Sequence, residues 1–221
     1  MNYAVAIDGP TGAGKSSIAK ELAKRLGILY VDTGAMFRAV ALLALRDLTP
    51  PYREEDLLGL LEDHAIAFDG SGIGIDGKPV DGLIRSEEIS NLSSKVVSTQ
   101  PGVRKALLEI QQALAKENSL VMEGRDIGSV VLPEAKYKFF LTASPQIRAK
   151  RRYDQLMEKG QAANYDQVLE DLLARDKRDS QRKVAPLVQT EDAILIDSSH
   201  LSQEETINKM LSYIEEAHCA L

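Results

Sequence analysis

Apolar residues fall along this chain in two kinds of run. Short blocks stand at residues 4–7, 28–31, 120–122, 137–141 and 193–196, and they do not alternate with polar residues. Such blocks are expected of strands covered on both faces. Between them, apolar positions recur at helical spacing over residues 16–26, 34–47, 54–63, 86–98, 103–117, 145–158, 165–182 and 203–217. Ser202 and Glu205 form a capping box at the start of the last one. Strand and helix alternate, which predicts an α/β core: a five-stranded parallel sheet with helices on both faces and its ligand site at the C-terminal ends of the strands.

One stretch breaks the alternation. Residues 65–79 carry short β-type runs separated by Asp-Gly and Gly-Ser turn signals, which predicts small antiparallel hairpins. With its flanking helices this region reads as an insertion over residues 62–104, either a movable cap or a surface hairpin. The expected division is a core of residues 1–61 and 105–221 with the inserted subdomain between them. There is no internal repeat, low-complexity tract or Pro/Ser-rich linker.

The first β run leads into Gly9-Pro10-Thr11-Gly12-Ala13-Gly14-Lys15-Ser16, which in turn opens the first helical pattern. Its glycines let successive backbone N–H groups point at one anion. Lys15 can reach terminal phosphates, and the Ser16 hydroxyl can join a magnesium shell. This is a cradle for a nucleoside triphosphate.

Composition narrows the class. A chain of 221 residues, 44% hydrophobic, buries a sizeable core without disulfides, and its one cysteine, Cys219, offers no disulfide framework or metal cluster. No charged leader precedes the strand expected at Ala4 and no run reaches membrane-spanning length, so the reading is a soluble, cytoplasmic protein without a membrane partner. A net charge of −6 argues against a general nucleic-acid binder. The charge is uneven: residues 148–183 hold ten Lys/Arg against seven Asp/Glu, +3, leaving −9 for the remainder.

Four clusters fall at strand ends or along helices. Asp32-Thr33-Gly34-Ala35-Met36-Phe37-Arg38 follows the second β run, and Glu123-Gly124-Arg125-Asp126 the third. Arg148, Arg151 and Arg152 share one helical face by spacing, as do Arg175, Arg178, Asp179 and Arg182. Singly, each suits a surface ion-pair patch. Together they suit phosphoryl transfer, in which positioned guanidiniums and magnesium stabilise charge spread over the moving group.

At these residues the chain resembles the bacterial-type cytidylate kinases, P-loop nucleoside monophosphate kinases acting on CMP and dCMP. The resemblance runs nearly end to end. It rests on Ile7-Asp8-Gly9-Pro10, on Asp32 to Met36 with Arg38, on Glu123 to Gly128 with Val130-Val131, and on Arg175 to Arg182 with Val184-Ala185-Pro186-Leu187. It implies an enlarged monophosphate-binding subdomain at the insertion and a short lid at about residues 151–165. Gly9, Pro10, Thr11, Gly12, Ala13, Gly14, Lys15, Ser16 and Ser17 would hold ATP, with Ser16 on Mg2+. Arg38 and Arg125 would bind the acceptor phosphate. Asp126, Arg104, Arg182 and Ser94 would read cytosine, while Arg175 and Asp179 reach the sugar and Thr33 completes the CMP set. Catalytic charge would come from Lys15, Arg38, Arg125, Arg148, Arg151 and Arg152.

Three positions depart from the family pattern. Phe37 stands where tyrosine is common, and Glu123 where aspartate is frequent, which leaves its magnesium role open. The segment from Ser94 to Arg104 is one residue longer, so Ser93 is an alternative to Ser94. The implied reaction is in-line transfer of the ATP γ-phosphoryl to a phosphate oxygen of CMP or dCMP. That oxygen is already anionic, so no general base is needed, and His64, His200 and His218 read as ordinary surface residues. Two alternatives stand beside it: a same-fold kinase for UMP, AMP or shikimate, and a non-enzymatic P-loop switch. The protein is expected to act as a monomer on small molecules.

Overall fold

The computed structural model describes residues 2–69 and 72–219, apart from the side chains of Asp69 and residues 217–219. The turn expected at Gly70 and Ser71, and the side chains of His218 and Cys219, lie outside the described residues.

The chain runs β1 (Ala4–Asp8), α1 (Lys15–Leu26), β2 (Leu29–Asp32), α2 (Thr33–Asp47), α3 (Glu54–Asp63), β3 (Ile66–Asp69), β4 (Gly72–Ile75), β5 (Lys78–Pro79), α4 (Glu87–Lys95) and α5 (Pro101–Glu117). It continues through β6 (Leu120–Gly124), β7 (Tyr137–Thr142), α6 (Pro145–Glu158), α7 (Tyr165–Gln181), β8 (Ile194–Asp197) and α8 (Gln203–Cys219). One sheet has five parallel strands in the order β2-β6-β1-β7-β8, and the second has three, β3-β4-β5. β1 therefore lies between its sheet neighbours β6 and β7, and the connection that carries the glycine-rich loop leaves from a central strand.

The chain forms two compact units. One comprises Tyr3–Ile28 and Val121–Leu221. In it, β1 pairs parallel with β7 from Val5↔Tyr137 to Asp8↔Phe140, and β7 with β8 from Phe139↔Ile194 to Thr142↔Asp197. Val5, Ile7, Val121, Met122, Phe139 and Leu141 are fully or almost fully buried, as strands with covered faces require. The capping box of α8 is present: Ser202 Oγ accepts from the Glu205 amide at 3.2 Å, and Glu205 accepts from the Ser202 amide at 2.8 Å.

The other unit comprises Met1–Asn2 and Leu29–Leu120. The segment 62–104 expected as an insertion lies within it, together with β2, α2, α3 and α5. Its core is built on α2, whose Met36, Ala39, Val40, Leu43 and Ala44 pack with Leu57, Ile73, Ile84, Val103 and Leu107. β3, β4 and β5 are antiparallel, as the turn signals predict. At the β4–β5 turn both Asp76 and Gly77 have left-handed φ, 52° and 73°, the conformation that an Asp-Gly pair supplies.

Local chemistry explains where expectation and structure differ. A single helix over 86–98 is expected, but α4 ends at Lys95 and a 3-10 turn covers Val97–Thr99. The β-branched pair Val96-Val97 disfavours the helix, and Pro101 holds Gln100 in an extended conformation. Ile127–Val131 forms a π turn, for which the sequence gives no periodic signal. His64 is also more constrained than an ordinary surface residue: its Nδ1 is 2.7 Å from Asp76, and its Nε2 is 3.4 Å from Arg46 and 3.8 Å from Asp47.

Two leucines in the second unit test this account of the core. Leu107 is fully buried, so Leu107→Ala should cost about 2–5 kcal/mol in denaturant melts. Leu83, 62% exposed, should tolerate alanine within about 0.5 kcal/mol.

Candidate active site

Residues 9–14 bend because three glycines take left-handed φ: 152° at Gly9, 76° at Gly12 and 89° at Gly14. Gly9 also needs its small size, since a Cβ there would run into the Leu141 carbonyl of β7. Lys15 opens α1 and folds back over the loop, its Nζ donating to the Gly9 and Pro10 carbonyls at 2.8 Å each. Burial lowers its pKa to about 7, helped by Arg125 and opposed by Glu123 and Asp8. An incoming polyanion would favour its charged form.

Asp8 ends β1 and faces the turn that follows β6. Its two oxygens accept from the Ile127 and Gly128 amides at 2.8 and 2.7 Å. Burial raises its pKa to about 6 despite those bonds. Gly128 leaves room for the contact: a Cβ there would lie 3.4 Å from Asp8 Oδ2 and 3.3 Å from Lys138 Cδ.

This turn carries Arg125 and Asp126. Arg125 Nε donates to Asp179 Oδ2 of α7 at 2.9 Å, its Nη2 to Thr11 Oγ1 at 2.9 Å, and its Nη1 to the Gly124 carbonyl at 3.3 Å. A guanidinium has five N–H groups, so one on each Nη remains for a ligand. Burial alone would push Asp179 up, but Arg125 and then Arg175 and Arg182 outweigh it and hold the carboxyl below its ordinary value. Asp126 is buried, with Arg182 Nη2 at 3.3 Å from its Oδ1. Arg182 Nε donates to the Ala185 carbonyl, and the Leu187 amide to the Asp179 carbonyl at 2.8 Å. The Val184 to Leu187 segment is thereby tied to the end of α7, with Ala185 at a left-handed φ of 51°.

The arginines of α6 point to different places. Arg148 is buried against the glycine-rich loop, where its Nη1 donates to the Thr11 carbonyl at 2.8 Å and to Asp176 at 2.6 Å. Arg151 Nη2 donates to the Ser198 carbonyl at 2.6 Å, beyond β8, and Arg152 is exposed. Helical spacing puts the three on adjoining positions, but their long side chains follow separate partners.

In the other unit, Asp32 caps α2 by accepting from the Ala35 amide at 3.0 Å and holds Arg38 Nη2 at 2.7 Å. Arg38 Nε is buried with no hydrogen-bond partner among the described residues, a donor left unsatisfied. Thr33 is buried at the start of α2. Phe37 gives a ring face to the Arg104 guanidinium, 5.4 Å from its centroid, so the residue without a hydroxyl serves as a cation–π platform. Arg104 Nη1 also donates to the Ser98 carbonyl at 3.4 Å. Ser93 is buried in α4, while Ser94 Oγ turns back to the Asn91 carbonyl at 3.4 Å.

The profile of the cytidylate kinase family matches residues 5–216. Over 216 residues the chain is 46% identical to the cytidylate kinase of Clostridium botulinum strain Hall, covering 98% of this chain and 99% of that protein. The chain belongs to the cytidylate kinase family. It is also 47% identical to the cytidylate kinase of Caldanaerobacter subterraneus subsp. tengcongensis, over 98% of this chain and 96% of that one. An uncharacterized protein from Eubacterium ventriosum, of solved structure, shares the fold, with a TM-score of 0.57 at 14% identity over 97% of this chain and 99% of that one.

For a cytidylate kinase, the residues that sequence reasoning missed are Asp8, Asp32 and Asp176. Each stands inside a recognised motif, and its role appears only with its partners: backbone amides for Asp8, a cap and Arg38 for Asp32, Thr11 and Arg148 for Asp176. No three acidic, His or Cys side chains among the described residues could cage a metal. Magnesium that arrives with nucleotide keeps waters and phosphate oxygens and asks one or two hard oxygens of the protein, a demand that the Ser16 hydroxyl fits. No helix among the described residues is long and apolar enough to cross a membrane.

Asp8 makes a pH dependence testable. Its folded pKa of about 6 exceeds the ordinary 3.8, so between those values the folded protein keeps a proton that the unfolded chain has lost. The contribution of this group to stability is therefore fully present below pH 3.8 and is lost as pH rises through 6. Asparagine does not titrate, so the stability of wild type relative to Asp8→Asn should fall from pH 4 to 6.5 by on the order of 2–3 kcal/mol and stay level above pH 7. Denaturant melts of both proteins across that range check it. A wild-type advantage that grows with pH would mean that the two amide bonds outweigh burial.

Proposed function

We propose that this protein phosphorylates CMP, and dCMP with it, using ATP as donor. A phosphate oxygen of CMP attacks the γ-phosphorus in line, and the new O–P bond forms as the bond to ADP breaks, giving CDP and ADP. No proton must be removed from the nucleophile, which agrees with a site built of lysine, arginines and carboxylates. The observation that carries the reading is Arg125, a half-buried guanidinium that reaches both Thr11 of the glycine-rich loop and Asp179 of α7 while keeping N–H groups for an anion.

On this reading the amides of residues 9–17 and Lys15 hold the triphosphate. Ser16 would hold the Mg2+ that comes with ATP, which would neutralise phosphate charge. Arg38 and Arg125 take the acceptor phosphate. Asp126 accepts from the cytosine amine, with Arg182, Arg104 and Ser94 as further base contacts. Uracil would set a carbonyl against that carboxylate, a repulsion that rejects UMP. Arg175 and Asp179 meet the sugar, and Thr33 lines the same set. Arg151 and Arg152 supply cationic charge from the lid residues 151–165, and Arg148 supports the loop from beneath. A nucleotide switch would not need so many arginines kept for a second anion.

An ATP-coupled assay over CMP, dCMP, UMP, AMP and shikimate tests the substrate, with CMP and dCMP expected to be the best acceptors. A tenfold preference for any of the others would overturn it. Lys15→Ala should cut turnover about a hundredfold or more in a protein that still melts cooperatively.

The sugar contact has its own test. If Asp179 accepts from the 2′-hydroxyl, Asp179→Ala should weaken CMP more than dCMP. Equal losses would assign the carboxylate to Arg125 alone.

A further inference from the structure

Asp176 belongs to the Arg175–Arg182 run, yet the reading above gives it no part. Both of its oxygens are engaged. Oδ1 accepts from the Thr11 amide at 3.0 Å, and Oδ2 accepts from Arg148 Nη1 at 2.6 Å. Arg148 Nη1 also donates to the Thr11 carbonyl at 2.8 Å, and its Nε to the Ala143 carbonyl at 2.8 Å. One ion pair thus takes both backbone groups of a single loop residue.

The packing agrees. A Cβ at Gly12 would meet Arg148 Cβ at 3.2 Å and Leu172 Cδ1 at 3.4 Å, so α6 and α7 lie directly against the loop at this point. A lone carboxylate beside a triphosphate site would repel the ligand. Paired with Arg148, whose side chain is 5% exposed, Asp176 adds little net charge and contributes direction instead. A buried ion pair is weak evidence of stability, because apolar residues of similar volume often do as well. What apolar residues could not do is accept the Thr11 amide and donate to its carbonyl together.

We propose that Asp176 is a positioning residue for the nucleoside triphosphate, acting through Thr11 and Arg148 to hold the phosphate loop in one shape. The proposal rests on the loop being the ATP site. Asp176 touches no substrate. Without it the Thr11 amide is released, Arg148 keeps a buried charge with no counter-charge, and the loop samples conformations that cradle phosphate poorly.

Equilibrium binding measured without turnover tests this: Mg-ATP titrated with no acceptor present, and CMP titrated with no ATP. Asp176→Ala should weaken Mg-ATP about ten- to 100-fold, the scale of a lost charged hydrogen bond, and CMP less than about threefold. Asp176→Asn keeps an oxygen for the Thr11 amide but turns an NH2, which cannot accept, toward Arg148. It should fold even if the alanine variant fails to, and should weaken Mg-ATP about three- to tenfold, again sparing CMP.

A purely structural role would lower the melting temperature and weaken both ligands alike, and that result overturns the proposal. So does Mg-ATP affinity within twofold of wild type in the asparagine variant. Failure of the substrate reading looks different: wild type would bind Mg-ATP but not phosphorylate CMP, and the split between variants would persist.

Discussion

Crowding cations at one edge of a sheet costs free energy unless each has a counter-charge, and this constraint organises the unit that carries the phosphate loop. Lys15 and Arg148 are buried and Arg125 and Arg182 half-buried, and each is met by an acid: Glu123 and Asp8 near Lys15, Asp179 on Arg125, Asp176 on Arg148, Asp126 on Arg182. At Lys15 burial outweighs the nearby acids and drives the pKa down to about 7. On the proposed reading, the triphosphate would add negative charge beside Lys15 and favour its charged form.

The same constraint accounts for what could be read from the sequence. Apart from α4, which ends three residues early, strand and helix bounds were legible within a residue or two, because burial on both faces of a strand or one face of a helix writes a period into the chain. The three-stranded hairpin sheet was legible from turn chemistry, and Asp76-Gly77 takes the backbone geometry that pair allows. The π turn at Ile127–Val131 was not. It is held by Asp8, 119 residues away from Ile127, through backbone amides that leave no mark on side-chain pattern. The arginines were legible as a set and illegible one by one. Spacing places the Cα atoms of Arg148, Arg151 and Arg152, and the directions of their guanidiniums depend on carbonyls at Thr11 and Ser198 that local sequence does not reveal.

A departure from the family pattern also acquires a physical meaning. Phe37 lacks the hydroxyl that tyrosine would bring, yet an arginine needs a flat π face rather than a hydroxyl, and Arg104 lies over the ring. Rings of this kind attract guanidiniums by roughly 0.5–1 kcal/mol when exposed and more when dry. The substitution removes one polar contact and keeps the platform that orients a cation.

Thr11 is where these strands of argument meet. Its amide goes to Asp176, its carbonyl to Arg148 and its hydroxyl accepts from Arg125, so every polar group of one loop residue is held by a different side chain. Three of its partners come from three elements: the turn after β6, α6 and α7. Each partner holds a different group of Thr11, so loss of one, as at Asp176, leaves the Arg125 bond to the Thr11 hydroxyl in place. If the loop moves when it takes up a triphosphate, Arg125 must lose its bond to Thr11 or move with it, and Arg125 is the cation proposed for the acceptor phosphate. Donor and acceptor binding would then be linked through a hydroxyl on the loop, and by reciprocity each ligand would alter the affinity of the other by the same factor.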